Sequence, residues 1–251
     1  MEMDKHFLLT LKNMESTLRA LEERVPPPKR VKFGDAHVFR YIERSIHQAI
    51  IQKLARIISD LHAARILLDQ GFVQELGALQ RMLDEFQEDV MFLSYGVIYN
   101  DLTDLHTRYL DAFYQEEFDN PEDPLASTQK RPMIPRKKIQ SYLARMDGVV
   151  LDPIRGVELM RTTSKTYSGF IHGASPRIMD MYGGNPPRFH VSEMLGTPRI
   201  DEHLDDLWNY FYRGIIAFAL AAKAFGDDAL FSSIREYLNH FEEASGKSHT
   251  D

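Results

Sequence analysis

The chain contains no cysteine. Disulfides, thiolate nucleophiles, Cys-ligated zinc and iron–sulfur clusters are thereby excluded. It also lacks any apolar run near the roughly 20 residues that a membrane-spanning helix needs; the nearest approach, Ile215 to Ala222, is far too short. With neither such a run nor an apolar leader, the sequence reads as a soluble, cytoplasmic protein with no membrane partner. An excess of basic charge is missing as well. The formal charge of −7 at pH 7 argues against a generally basic nucleic-acid binder, although a local basic patch is compatible with an acidic average. Reaction signatures are equally scarce: the sequence has no His-Glu-x-x-His, no P-loop, no six-residue Gly fingerprint of dinucleotide binders and no Gly-x-Ser-x-Gly elbow. The paired Glu-x-x-His motifs of ferritin-like di-iron proteins are absent too. Glu43 and His47 stand one helical turn apart, but two ligands are too few for a metal site, so no metal or cofactor is expected.

What is present is helical pattern. Of the 251 residues, 43% are hydrophobic, enough to fill a sizeable core, and most recur at spacings of three and four. Phe7, Leu8, Leu11, Met14, Leu18 and Leu21 predict an amphipathic helix over residues 4–24. Pro26-Pro27-Pro28 ends it as a stiff spacer, so residues 1–25 are expected to form an N-terminal helical arm and residues 35–245 a single helical-bundle domain. From Asp35 to Gln70 there is no Gly or Pro, and Val38, Ile42, Ile46, Ile50, Leu54, Ile57 and Leu61 share one face. Unbroken, such a helix would be about 50 Å long; it either breaks near Ser59-Asp60 or projects toward a partner. Gly71 suits its C-terminal cap, and a second long helix from Phe72 to about Tyr95 folds back on it. A third helix is predicted over 102–118, with Leu102, Leu105, Tyr109, Ala112 and Phe113 inward. Residues 119–135 hold four Pro and no apolar period, which predicts a mobile surface loop. Beyond it Lys130, Arg131, Arg136, Lys137 and Lys138 form the densest basic cluster, suited to phosphate or an acidic partner or to plain solvation beside Glu116 and Glu117. Shorter helices follow over 139–146, ending at Asp147-Gly148, and over 153–168. Pro198 to Phe225 makes a strong helix around Trp208, the only tryptophan and a core residue by its size, and the last helix spans 228–243. The fold class is all-α: a multi-helix bundle of seven or eight helices built on a long antiparallel pair.

Special residues crowd into Arg161–His190, where the helical pattern stops. Gly183 to Pro187 reads as a turn before the next helix and His190 has no visible partner, leaving Tyr167, Ser168 and His172 as the part with chemical interest. A Ser168–His172 nucleophile pair has local adjacency but no supporting elbow. On the second long helix, Arg81, Glu85 and Glu88 lie on a face opposite the Leu stripe. That is the usual place for solvated charge, or for a polar cluster if further helices cover it.

Two resemblances bear on function. The run ALQRMLDEF, residues 78–86 with Arg81 and Glu85, followed by TYSGFIHG, residues 166–173, is similar to an uncharacterised all-helical bacterial family with an Arg-x-x-x-Glu helix and a Tyr-Ser then His segment. The match covers about 110 residues and brings no established activity. It implies that Arg81, Glu85, Tyr167, Ser168 and His172 converge, a pairing that spacing does not show. The all-helical pattern with short Arg-to-His spacings also resembles the HEPN superfamily, helical bundles of which many are dimeric ribonucleases. Arg40–His47, Arg56–His62 and Arg235–His240 carry that spacing. About two such spacings arise from composition alone, and the residues that follow each Arg, Tyr41, Ile57 and Glu236, include only one polar side chain.

Three functions are therefore expected. The first is a bundle whose Arg81/His172 pocket binds a small anionic ligand or a partner. The second is a HEPN-like metal-independent ribonuclease acting on RNA. The third is a structural assembly subunit; the long helix and separate arm favour a homodimer.

Overall fold

The computed structural model describes residues 2–128, 130, 132–146 and 153–247. Among them the chain forms nine α-helices and two small antiparallel ribbons, an all-α multi-helix bundle. The predicted end of a helix at Asp147-Gly148, Arg131 within the basic cluster, and the last four residues lie outside the described part.

Helix α1, Glu2–Glu22, buries Phe7, Leu11, Met14, Leu18 and Leu21. Phe7 stacks on Phe211 at 4.3 Å between ring centroids and lies 6.5 Å from Phe241. The first helix therefore packs on the main body, its apolar stripe covered within this chain. That removes the arm as a reason to expect a homodimer.

Residues 29–34 precede the expected helix, and residues 35–45, expected to open it, are not helical. They form a ribbon, β1 Lys29–Phe33 and β2 Ala36–Arg40, with Lys29 opposite Arg40, Val31 opposite Val38 and Phe33 opposite Ala36. The two-residue turn places Gly34 at φ +56, a conformation open to glycine and the signature of a tight hairpin. Valine and phenylalanine alternating with Lys, Arg and His satisfy the period of two. Ile42, assigned by the 3.6-residue period to a buried face, is instead 49% exposed.

Helix α2, Ile46–Asp69, begins at a capping box: the Ser45 side chain accepts from the Gln48 N–H, and the Gln48 side chain accepts from the Ser45 N–H at 3.1 Å. It continues unbroken through Ser59-Asp60. At Gly71 the backbone takes φ +76. A Cβ there would lie 2.8 Å from the Met194 nitrogen, so both conformation and space require glycine. Helix α3, Val73–Ile98, returns antiparallel to α2. Helix α4 is shorter than expected, Asp104–Tyr114, because Thr103 caps it with His106; Leu102 precedes the cap and is 59% exposed.

Helices α5, Arg136–Met146, and α6, Pro153–Ile171, pack on each other and on α3. Helix α7, Ser175–Met179, and the short ribbon of β3, Tyr182–Gly183, and β4, Arg188–Phe189, connect α6 to α8, Pro198–Ala224. The Met194 N–H donates to the Gly71 carbonyl at 2.9 Å, and the Gln74 side chain to the Arg177 carbonyl at 2.7 Å, which pins this connection over the start of α3. Trp208 is buried, stacked between Tyr212 and Phe241. Helix α9, Asp228–Ser245, closes the bundle. The central element is α3, which touches α2, α5, α6 and α8. No helix of the described residues is long and apolar enough to cross a membrane.

Candidate functional site

A helix covered by four neighbours buries polar positions together with apolar ones, and α3 does so. Gln80, Asp84, Gln87, Glu88 and Asp89 are all buried, although sequence period alone assigns Glu88 to an outward face. Each charge meets an opposite one. Asp89 accepts from Arg136 of α5 at 2.6 Å and from Lys53 of α2 at 2.8 Å. Burial by itself would raise this carboxyl, but the two cations outweigh it and hold its pKa below the ordinary aspartate range. Asp84 accepts from Arg213 of α8 at 2.6 Å. Glu88 lies 3.5 Å from Arg136 and accepts from the Gln140 amide at 3.1 Å. Here burial wins over Arg136 and Gln140, and the carboxyl is pushed up to about 7. Lys53 stands over the rings of Phe86 and Phe113 at 4.7 and 5.0 Å, which adds cation–π attraction to its ion pair.

The five residues implied by resemblance are distributed around this network. Arg81 and Glu85 pair at 2.6 Å, and Glu85 also lies 3.7 Å from Arg136. Tyr167 is buried, and burial followed by Asp206 pushes its phenol pKa far up. Its ring meets that of Tyr210 at 6.0 Å between centroids. Ser168 is half-buried, and its carbonyl accepts from the His172 N–H at 3.2 Å as an ordinary helical turn. His172 is exposed and has no side-chain partner among the described residues. The geometry explains the separation. A Cβ at Gly77 would meet the Phe170 ring at 2.6 Å, so α6 ends level with the first turns of α3, and His172 lies beyond that end. Arg81 is one turn past Gly77 in the opposite direction. Of these residues Arg81 and Glu85 are brought into contact, and His172 makes no hydrogen bond or ion pair with either.

The Arg-to-His spacings likewise place no Arg beside its His. Arg40 is held by Glu116 at 2.5 and 3.0 Å, while His47 packs edge-on against Phe225. Arg56 pairs with Asp60, and His62 with Glu15. Arg235 lies over Phe231. Glu43 accepts from Gln48 at 2.7 Å and does not share a ligand with His47. Arg136, expected in an exposed basic cluster, points inward, while Lys137 and Lys138 remain exposed. No group of three or more His, Asp or Glu among the described residues is placed to hold a metal ion.

Two concavities are prominent, and neither is lined by the five residues. One, about 270 Å³, lies between α1, α8 and α9 and is bridged by the Thr10–Tyr237 hydroxyl pair at 2.8 Å. The other, about 420 Å³, lies between the β1–β2 ribbon and residues 114–121, lined by Lys32, Phe33, Arg44, Tyr114, Gln115, Glu116, Phe118 and Asp119. Its two carboxylates are already engaged. Glu116 is lowered first by its hydrogen bond from Arg40, and Asp119 accepts from the Ser127 and Thr128 hydroxyls. Neither Lys32 nor Arg44 forms a hydrogen bond or close ion pair with another described side chain, although the Arg44 charge helps to hold the Glu116 carboxyl down. Arg44 adopts φ +52, a left-handed conformation that costs a non-glycine residue on the order of 1–2 kcal/mol. It is fixed there because Ser45 caps α2 and the Tyr114 hydroxyl donates to the Ser45 carbonyl at 2.7 Å. Sequence reading overlooked these residues; the alternation in KRVKF before Gly34-Asp35 points to Lys32, while Arg44 lies beyond the ribbon and carries no local signal.

Comparison of the chain with protein-family models, curated proteins and solved structures finds no match.

Proposed function

We propose that this protein is a binding protein that recognises an anionic group in the cleft between the β1–β2 ribbon and residues 114–121. The observation that carries the reading is the contrast in charge matching. The cations of the bundle centre, Lys53, Arg136 and Arg213, each face a buried carboxylate within 2.8 Å. Lys32 and Arg44 lack so close a partner: Glu116 is taken by Arg40 and Asp119 by the Ser127 and Thr128 hydroxyls, so that Arg44 adds only a longer-range attraction to Glu116. An arriving anion gains two charge-assisted contacts without displacing an existing ion pair. The internal network serves a different purpose: matched buried charges fix helix register, since any slip leaves a carboxylate uncompensated.

This reading is preferred to a HEPN-like metal-independent ribonuclease because in the three Arg-to-His spacings Arg40, Arg56 and Arg235 engage Glu116, Asp60 and Phe231. The direct test is titration calorimetry of the full chain with inorganic pyrophosphate. Saturable binding, lost in Lys32→Ala/Arg44→Ala and kept in Arg81→Ala and His172→Ala, is expected. Binding that survives the double substitution, or the absence of any heat of binding, overturns the assignment.

A further inference from the structure

We infer that the anion is the backbone of a single-stranded nucleic acid, and that its path runs from the cleft over the outer face of the β1–β2 ribbon; this rests on the anion-binding reading above. Cross-strand register assigns the faces. Arg30 stands opposite Phe39 and Lys32 opposite His37, so these four share one side. All four are exposed, and Phe39 presents 66% of its surface. The other side, with Val31, Phe33 and Val38, is half-buried, and the Arg40 guanidinium lies 5.7 Å from the centre of the Phe33 ring. The ribbon is therefore held by one face and offers the other.

Lys32 belongs to both surfaces. It lines the cleft with Arg44 and sits on the outer face between Arg30 and the turn. One continuous track of three cations, Arg30, Lys32 and Arg44, results, with Phe39 beside it and Phe118, 41% exposed, at the cleft. Alternating cations and open aromatic rings match a strand that carries a phosphate and a flat base in every unit. An acidic peptide fits less well, because the face of an aromatic ring is its negative side and repels a carboxylate. A duplex fits less well because its bases are already stacked and leave nothing for Phe39 to cover. The overall charge of −7 confines attraction to this track, so binding is weak and salt-sensitive.

The test is fluorescence anisotropy of a labelled oligouridylate, a duplex of equal length, an abasic strand and a polyglutamate peptide with the full chain. The single strand should bind with a slope of log K against log salt of about −2, from three neutralised phosphates at roughly 0.7 each. Phe39→Ala should weaken binding to the oligouridylate roughly 5- to 100-fold, the loss of one stacked base, and leave the abasic strand unchanged. Arg30→Ala should reduce the salt slope by about 0.7. Circular dichroism melts that match the parent protein would show both variants folded. If duplex or polyglutamate binds as tightly as the single strand, or Phe39→Ala changes nothing, the nucleic-acid inference is overturned. Pyrophosphate bound through Lys32 and Arg44 with no oligonucleotide binding would overturn it while leaving the anion-binding reading standing; loss of both would end both.

Discussion

Replacing Glu88 by Gln should make the protein more stable at pH 8, and by only about a quarter as much at pH 5. The carboxyl is buried on α3, facing Arg136 and Gln140 of α5, Asp84 one turn earlier and Arg213 of α8. Its folded-state pKa of about 7, against 4.5 for the free side chain, means that the folded protein holds this proton more tightly than the unfolded chain does. Below pH 4.5 both states are protonated and nothing is lost. As pH rises from there to 7, the unfolded chain ionises first and stability falls. The fall saturates above pH 7 at about 3 kcal/mol, at 1.36 kcal/mol for each unit of difference. Glutamine cannot ionise, can still accept from Gln140, and leaves Arg136 bound to Asp89 at 2.6 Å. The variant should therefore show a midpoint about 6–12 °C higher at pH 8, taking about 2–4 °C per kcal/mol for a chain of this size. Thermal melts of both proteins at pH 5, 6, 7 and 8 give the double difference, in which all other titrating groups cancel. A variant that is less stable at pH 8, with a deficit independent of pH, would refute burial as the dominant effect on Glu88.

Other substitutions probe the frame around it. Arg213→Ala should cost about 3–5 kcal/mol in urea denaturation, because it strands the buried Asp84 carboxylate; Asp84→Ala should cost less, since Arg213 keeps 31% of its side chain in solvent. Gly77→Ala should destabilise by about 1–3 kcal/mol, the range for overpacking, as its Cβ meets the Phe170 ring at 2.6 Å; Gly214→Ala should cost less, because the atom nearest its Cβ is the flexible Met14 terminus at 2.9 Å. Equal losses for the two glycine variants would show that backbone propensity, not contact, decides. Ser45→Ala should lose about 1 kcal/mol by removing the α2 cap, and a melt unchanged by it would show the capping box to be dispensable.

Much of the helical framework was legible. Apolar period located α1, α3, α8 and α9 to within a few residues, Gly71 marked the α2–α3 turn, and Pro153 and Pro198 marked helix starts, because each of these signals is local. The ribbon was not legible by the same reasoning. Val38, Ile42 and Ile46 continue a spacing of four into α2, and deciding against a helix required reading KRVKF, the Gly34-Asp35 turn and AHVFR together as a hairpin.

Sequence by itself determined that this is a cysteine-free, acidic, all-α chain and where most of its helices lie, since composition and the 3.6-residue period need no knowledge of neighbours. Tertiary structure decided which charges are free. Glu88 and Arg136 look like surface residues until α5, α6 and α8 pack around α3 and bury the Glu88 carboxyl against Arg136. Lys32 and Arg44 look like ordinary surface charge until the ribbon brings them to one cleft whose carboxylates are already engaged. Charge matching depends on distance in space, and the polymer order does not contain it.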